Sequence, residues 1–276
     1  MIRRRLFTTA LSFAAVVALV FLLLPLLAIF LRVPPAELFA QLGSEVAIDA
    51  IVVTLKATGI AQALILLVGT PAAYLIASRG FRGRAFVVTL VELPLVLPPA
   101  VAGIGLLAAF GRLGLLGSTF DLLGVSISFT QTAVVLAVSY VASPFYLRQA
   151  IASFEAIDHA LLDASRTLGA GPARTFFRIA LPLAGKGLAA GAALSFARGI
   201  GEFGATIMFA GSLQGVTQTL SLAIYAQFDL DFDVALALGA LLVIVSAAIL
   251  LTVKLISAWT RSTSTSLSPF ARFGSS

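Results

Sequence analysis

The sequence predicts an all-α integral membrane protein of six transmembrane helices with a helical cytoplasmic segment between the fourth and fifth. Three observations predict it. The 276-residue chain is 60% hydrophobic and 11% charged, with a mean hydropathy of +1.08, whereas an ordinary soluble domain is about 25% charged. Its apolar residues gather into runs long enough to cross a hydrocarbon core about 30 Å thick. Its basic residues alternate from one loop to the next, as membrane topology requires.

The first span is Leu6–Leu31. It follows the basic start MIRRR and far exceeds the roughly 7–15-residue apolar stretch of a cleaved signal peptide, so it reads as retained. The others are Ile48–Ser78, Ala85–Phe110, Gln131–Phe154, Ile179–Phe209 and Phe232–Trp259. Together they make residues 1–260 one polytopic domain, and the polar, Ser-rich end, 261–276, is expected to be disordered. Pro25, Pro71, Pro94, Pro98, Pro99 and Pro144 fall inside spans, where each removes a backbone donor, so several helices should bend.

Arg3, Arg4 and Arg5, then Arg79, Arg82 and Arg84, then Arg148, Arg166, Arg174 and Arg178, and finally Lys254, Arg261 and Arg272 fall on one side. The other side holds Arg32 and Arg112 against Glu37, Glu45, Asp121, Asp229 and Asp231. Both termini are therefore expected in the cytoplasm. Topology also accounts for the net charge of +6 without a nucleic-acid partner, since no water-facing basic domain is visible.

Several chemistries are excluded. There are no cysteines, hence no disulfides or thiol sites. The run FDLDFD lacks the glycine and distal glutamate of a calcium loop and better suits the start of span six; no metal site is expected. The single histidine, His159, has no partners in sequence and reads as a surface or docking residue. Glu92 is expected to pair with Arg84 or to cap a broken helix. Gly185-Lys186, the only Gly-Lys pair, lacks the flanking residues of a phosphate-binding loop, so ATP hydrolysis cannot belong to this chain.

Between spans four and five, residues 155–178, lies the least lipid-like stretch. Phe154, Ile157, Leu161, Leu162, Ser165 and Leu168 recur near helical spacing, Gly169 stops that helix, and Pro172 opens a second. Two short helices hinged at Gly169-Ala170-Gly171 make a knuckle suited to docking. Span five carries Gly187-x3-Gly191 for close helix packing. It also carries Arg198 and Glu202, four apart and able to pair. Arg198 lies roughly 18 Å beyond Lys186 at the helical rise, well within membrane depth. The pair could line a substrate path or clamp helices together. Gly204, Thr206, Ser212, Thr217, Gln218, Thr219 and Ser221 follow as uncharged groups along the path or at the outer interface.

Asp163-Ala164-Ser165, Gly169, then Ile179-x-Leu181-Pro182 after nine residues resembles the E-A-A-x3-G-x9-I-x-L-P loop of ATP-binding-cassette importer permeases, with Asp for Glu and Ser for Ala. That resemblance implies a coupling helix, with Asp163, Ala164, Ser165, Gly169, Pro172, Ile179, Leu181 and Pro182 engaging a separate ATPase. The stretches LPLVLPPAVAGIGLLAAFGRLGLLG and GEFGATIMFAGSLQGVTQTLSLAIY are similar to the molybdate and tungstate permease branch. The resemblance implies a homodimer in a bacterial or archaeal inner membrane, two ATPase subunits and an extracytoplasmic oxyanion-binding protein. It implies no cofactor on this chain, with ATP and Mg bound by the partner ATPase. Sulfate or thiosulfate permeases share parts of the pattern. An ion-coupled secondary transporter is disfavoured by the absence of repeated halves and of further deep carboxylates, and an intramembrane enzyme by the absence of a catalytic constellation.

Overall fold

The computed structural model describes residues 2–32 and 34–264, which form helices and no strand. The first helix, α1 (Ile2–Arg32), is exposed along nearly its whole length and meets the bundle chiefly through the last helix. A short α2 (Pro35–Leu42) opens on proline, and α3 (Glu45–Ser78) starts at Ser44, whose Oγ accepts from the Ala47 N–H at 3.3 Å. Ala50, Thr54, Ala57, Ala61, Ile65, Gly69, Ala73 and Ile76 are buried along one face of α3 at three- and four-residue spacing.

The expected third span is broken. Helices α4 (Arg84–Val96) and α5 (Pro99–Phe110) meet at an angle of 113°. Leu97 sits between them in an extended conformation, as a residue before proline prefers, and Pro98-Pro99 supplies no backbone donor to continue the ladder. Pro94, lying within α4, does not break it.

After a short α6 (Gly117–Leu122), α7 (Gln131–Glu155) forms the centre of the bundle, packed against α3, α4 and α5. The knuckle follows as α8 (His159–Thr167) and α9 (Pro172–Thr175). A five-residue π-turn, Phe176–Ala180, joins α9 to α10 (Leu181–Ile200). Gly187 and Gly191 both face α7, and a Cβ on Gly191 would lie 2.9 Å from that of Gln149, so the small residues do permit the close approach.

The expected fifth span stops nine residues early. The chain turns at Gly201–Phe203 and resumes as α11 (Gly204–Ala210), followed by α12 (Leu220–Phe228) and α13 (Phe232–Ser264). Asp231 Oδ1 accepts from the N–H groups of Asp233 and Val234, at 3.1 and 3.2 Å, which makes it the cap of α13. The expected disordered segment begins with four residues that belong to α13, and residues 265–276 lie outside the described ones.

Five helices among the described residues are long and apolar enough to cross a membrane, and six if the bent α4–α5 pair is one span. The two larger of four buried clusters hold the centre of the bundle. One surrounds α5, α7 and α11; the other joins α3, α7 and α10 to the knuckle through Phe154, Ile157 and Leu162.

Candidate functional site: the knuckle and the far end of its helix

The knuckle is a folded unit. Asp158 Oδ1 accepts from the Ala160 N–H at 2.9 Å and starts α8. Gly169 ends it at φ +79°, the left-handed conformation that disfavours other residues, while the Ala170 N–H returns to the Ser165 carbonyl at 3.0 Å. Pro172 opens the second arm as the sequence predicts.

Two side chains tie the arms together. Ser165 Oγ donates to the Leu162 carbonyl at 2.7 Å and lies 3.1 Å from the hydroxyl of Thr175, both residues being buried. The serine at the third motif position thus has a structural task. Its partner Thr175 carries no recognisable sequence signal, because the contact spans ten residues and depends on the fold of the turn.

Phe176 packs on Tyr74 with the rings tilted by 54° and 4.8 Å between centroids, and lies 6.3 Å from Phe154, fixing the second arm against α3 and α7. The outer face is different. Asp163 pairs with Arg166 at 3.0 Å on the surface, Ala164 is exposed, and Leu168 stands 87% exposed beside Leu161. An exposed apolar tip with a charged flank, on a rigid base, has the character of a protein-binding surface. Ile179 and Leu181 are half-buried, and Pro182 occupies the first turn of α10.

From Pro172 to Ile200 the backbone is helical over 29 residues, about 43 Å at the helical rise. The π-turn in its first third is a rare feature often found at functional positions. This continuous helical rod joins the knuckle directly to the other end of the bundle. Beside it, Arg84 pairs with Glu155 and donates from Nε to the Ile76 carbonyl, while Glu92 lies 3.4 Å from Arg148. The expected Glu92–Arg84 pair is therefore not formed; each residue of α4 instead reaches the neighbour that α7 presents at its own level.

At the far end of the rod, Arg198 Nη2 approaches Glu202 Oε2 at 2.6 Å, a close ionic contact without hydrogen-bond alignment. Glu202 Oε1 accepts from the Ala205 N–H at 2.7 Å, so the same carboxylate satisfies the start of α11. Arg198 and Glu202 are brought together, but across the end of a helix rather than along one. Gly204 follows because a Cβ there would lie 2.7 Å from the Cβ of Pro99, and Gly103 of α5 leaves equally little room for the Ala205 backbone. Gly204→Val should accordingly cost about 1–3 kcal/mol by overpacking, read as a fall in unfolding temperature. Gly105→Ala, on the open face of the same α5, should be neutral.

The remaining predicted polar residues are interior. Thr206, Thr217 and Thr219 are buried, Thr217 Oγ1 accepts from the Leu213 N–H at 2.9 Å, and Gln218 donates to Ser212 at 3.2 Å. Thr54, which the sequence did not single out, receives the Leu220 N–H at 2.8 Å and anchors the loop to α3. Among the described residues no group of three His, Asp or Glu side chains could hold a metal ion.

The family described as binding-protein-dependent transport system inner membrane component matches residues 65–262. The chain is 43% identical over 245 residues to the molybdenum transport system permease protein of Mycobacterium tuberculosis, covering 86% of this chain and 90% of that one. It is 38% identical over 212 residues to the protein of the same description in Escherichia coli, covering 76% and 92%. In fold it is similar to a chain of a bacterial alginate ABC transporter crystallised with an alginate-bound periplasmic protein, with a TM-score of 0.75 at 19% identity, covering 92% and 94%. A chain of the inward-facing MetNI methionine ABC transporter gives a TM-score of 0.58 at 20% identity, covering 76% and 94%. With a helical bundle, a rigid exposed knuckle and a family match across most of its length, this chain belongs to the inner-membrane components of binding-protein-dependent transport systems, and is a permease rather than an enzyme.

Proposed function

We propose that this chain is the permease of an importer that carries molybdate or tungstate into the cell, powered by a separate ATP-binding-cassette ATPase. The observation that carries the substrate is the 43% identity, over 86% of this chain and 90% of the relative, to a permease named for molybdenum transport. The functional unit is a homodimer with two ATPase subunits and an extracytoplasmic binding protein. ATP and Mg are held by the ATPase. In this reading the bent α4–α5 pair is one of six spans and both termini are cytoplasmic, which the basic residues toward the knuckle end support.

In this reading the knuckle is the coupling element. Its exposed tip, Leu161, Asp163 and Leu168, enters a cleft of the ATPase, and the Ser165–Thr175 contact keeps its arms moving as one body. ATP-driven closure of the ATPases draws the two knuckles together, the Pro172–Ile200 rods pivot, and the path between the two permeases opens outward. Hydrolysis reverses the movement. The burial of Glu202, Thr206, Thr217 and Thr219 supports a clamp for the segment Arg198 to Thr219, holding α10, α11 and α5 as one unit, over a direct lining of the path.

The test is uptake of radiolabelled molybdate into vesicles containing the permease, its ATPase and its binding protein. The expected result is ATP-dependent uptake inhibited by tungstate at concentrations similar to molybdate and by sulfate only in large excess. Preferential uptake of sulfate would replace the substrate, and uptake driven by an ion gradient without ATP would overturn the mechanism.

A further inference from the structure

Lys56 is explained by neither topology nor pairing. It lies on α3, about 16 Å along the helix from its start and 33 Å from its end at the knuckle side. Its ammonium is thus far from the end where basic residues collect. Among the described residues it has no ion-pair partner, in contrast to Arg198, whose charge Glu202 neutralises.

The side chain lines a cleft of about 310 Å³ between α3 and the start of α7, with Gln131 and Thr132 across from it and Ile60 and Val135 behind. Through Leu64 and Leu136 the cleft runs into a larger groove of about 460 Å³ on α3, α5 and α7. Ser139, Tyr140 and Ser143 line that groove, and Ser139 Oγ is fully buried without a hydrogen-bond partner. On α7, Thr132, Ser139 and Ser143 share a face with Leu136 and Leu147 at three- and four-residue intervals, and Ser143 Oγ donates to the Tyr140 carbonyl at 3.4 Å. Hydrocarbon would leave the ammonium of Lys56 and the amide of Gln131 unsatisfied, so this cleft does not suit a surface meant for lipid.

We infer that Lys56, with Gln131 and Thr132, is an anion-receiving site on the path. The inference rests on the oxyanion-importer reading above. The chemistry matches a doubly charged tetrahedral oxyanion: the ammonium brings an unneutralised charge, the ammonium, amide and hydroxyl together supply donors to several oxygens, and no carboxylate lines the cleft to repel it. One lysine, with no arginine fork, holds the anion without trapping it.

The test uses the full permease–ATPase complex with its binding protein in vesicles, and reads anions imported per ATP hydrolysed. Lys56→Gln is expected to lower that ratio about tenfold, in line with the loss of a charge-assisted contact, and Lys56→Arg to restore most of it. Because the chain has no cysteine, Lys56→Cys gives a single thiol. Molybdate should slow its reaction with a water-soluble thiol reagent; a cationic adduct should restore import and an anionic one should not. The inference is overturned if Lys56→Gln imports at the unmodified ratio, or if molybdate leaves the thiol's reaction rate unchanged. It is also overturned if saturating binding protein removes the deficit, which would make Lys56 a docking contact for that protein. If the unmodified complex imports sulfate in place of molybdate, the substrate reading fails on its own, and the same thiol-protection measurement with sulfate then supports or overturns the site.

Discussion

Arg198→Gln should destabilise the permease more than Glu202→Gln, and the double replacement should recover most of the loss. The carboxylate of Glu202 is 1% exposed and the guanidinium side chain 28%. Removing the arginine leaves a buried charge alone, and breaking a buried pair from one side costs about 3–5 kcal/mol. Removing the glutamate's charge is milder, because Arg198 reaches water and an amide oxygen at position 202 can still accept from the Ala205 N–H; the loss of a charged partner there is worth about 1.5–3 kcal/mol. Thermal unfolding of the purified subunit in detergent measures all three variants. Equal costs for the two single variants, or simple additivity in the double, would show that the pair is not the clamp that burial implies. Full stability with lost uptake would return Arg198 to the path.

The second large effect is expected at Gly169. Its φ of +79° costs an L-residue roughly 1–2 kcal/mol, and a β-branched one suffers most. A side chain there would meet nothing within 4 Å, so Gly169→Val changes only the backbone of the turn. The bundle should insert and fold normally, the two arms of the knuckle should lose their mutual angle, and ATP-driven uptake should fall to a small residue. Gly171→Ala is the matched control: it too has open space, and its φ is −68°, a value any residue adopts. If both variants transport alike, the knuckle's geometry does not matter for coupling.

Much of the fold was legible because a bilayer demands long apolar runs, and α3, α7 and α13 begin within three residues of where hydropathy starts them. The failures have a common cause. Hydropathy cannot distinguish a helix facing lipid from a short helix buried in protein, so Ile207, Met208 and Phe209 read as the end of span five although α11 is a separate piece packed on α5. Consecutive prolines gave warning of the break at Leu97, but its 113° angle cannot be read from them, and neither can the packing of α5 on α11 through Gly103 and Gly204, which is a tertiary fact.

The knuckle was legible for the opposite reason. Its signals, Gly169 and Pro172, are local, and local conformation is what turn residues encode. What escaped notice was long-range: Thr175 as the partner of Ser165, Arg148 as the partner of Glu92, and Thr54 as the anchor of the 211–219 loop. Lys56 was passed over because one charge does little to the mean hydropathy of a 34-residue helix, and its isolation from any carboxylate appears only when the neighbours are placed.

The most direct measurement attaches a thiol to the knuckle's tip. Leu168→Cys would be the sole cysteine of the chain, at a position 87% exposed in the free subunit. In the assembled transporter it should be shielded from a membrane-impermeant reagent added on the cytoplasmic side, should cross-link to the ATPase subunit, and should lose ATP-driven uptake on cross-linking and regain it on reduction. If that thiol instead stays freely reactive in a complex that is importing molybdate, the knuckle does not grip the ATPase and the coupling mechanism is wrong.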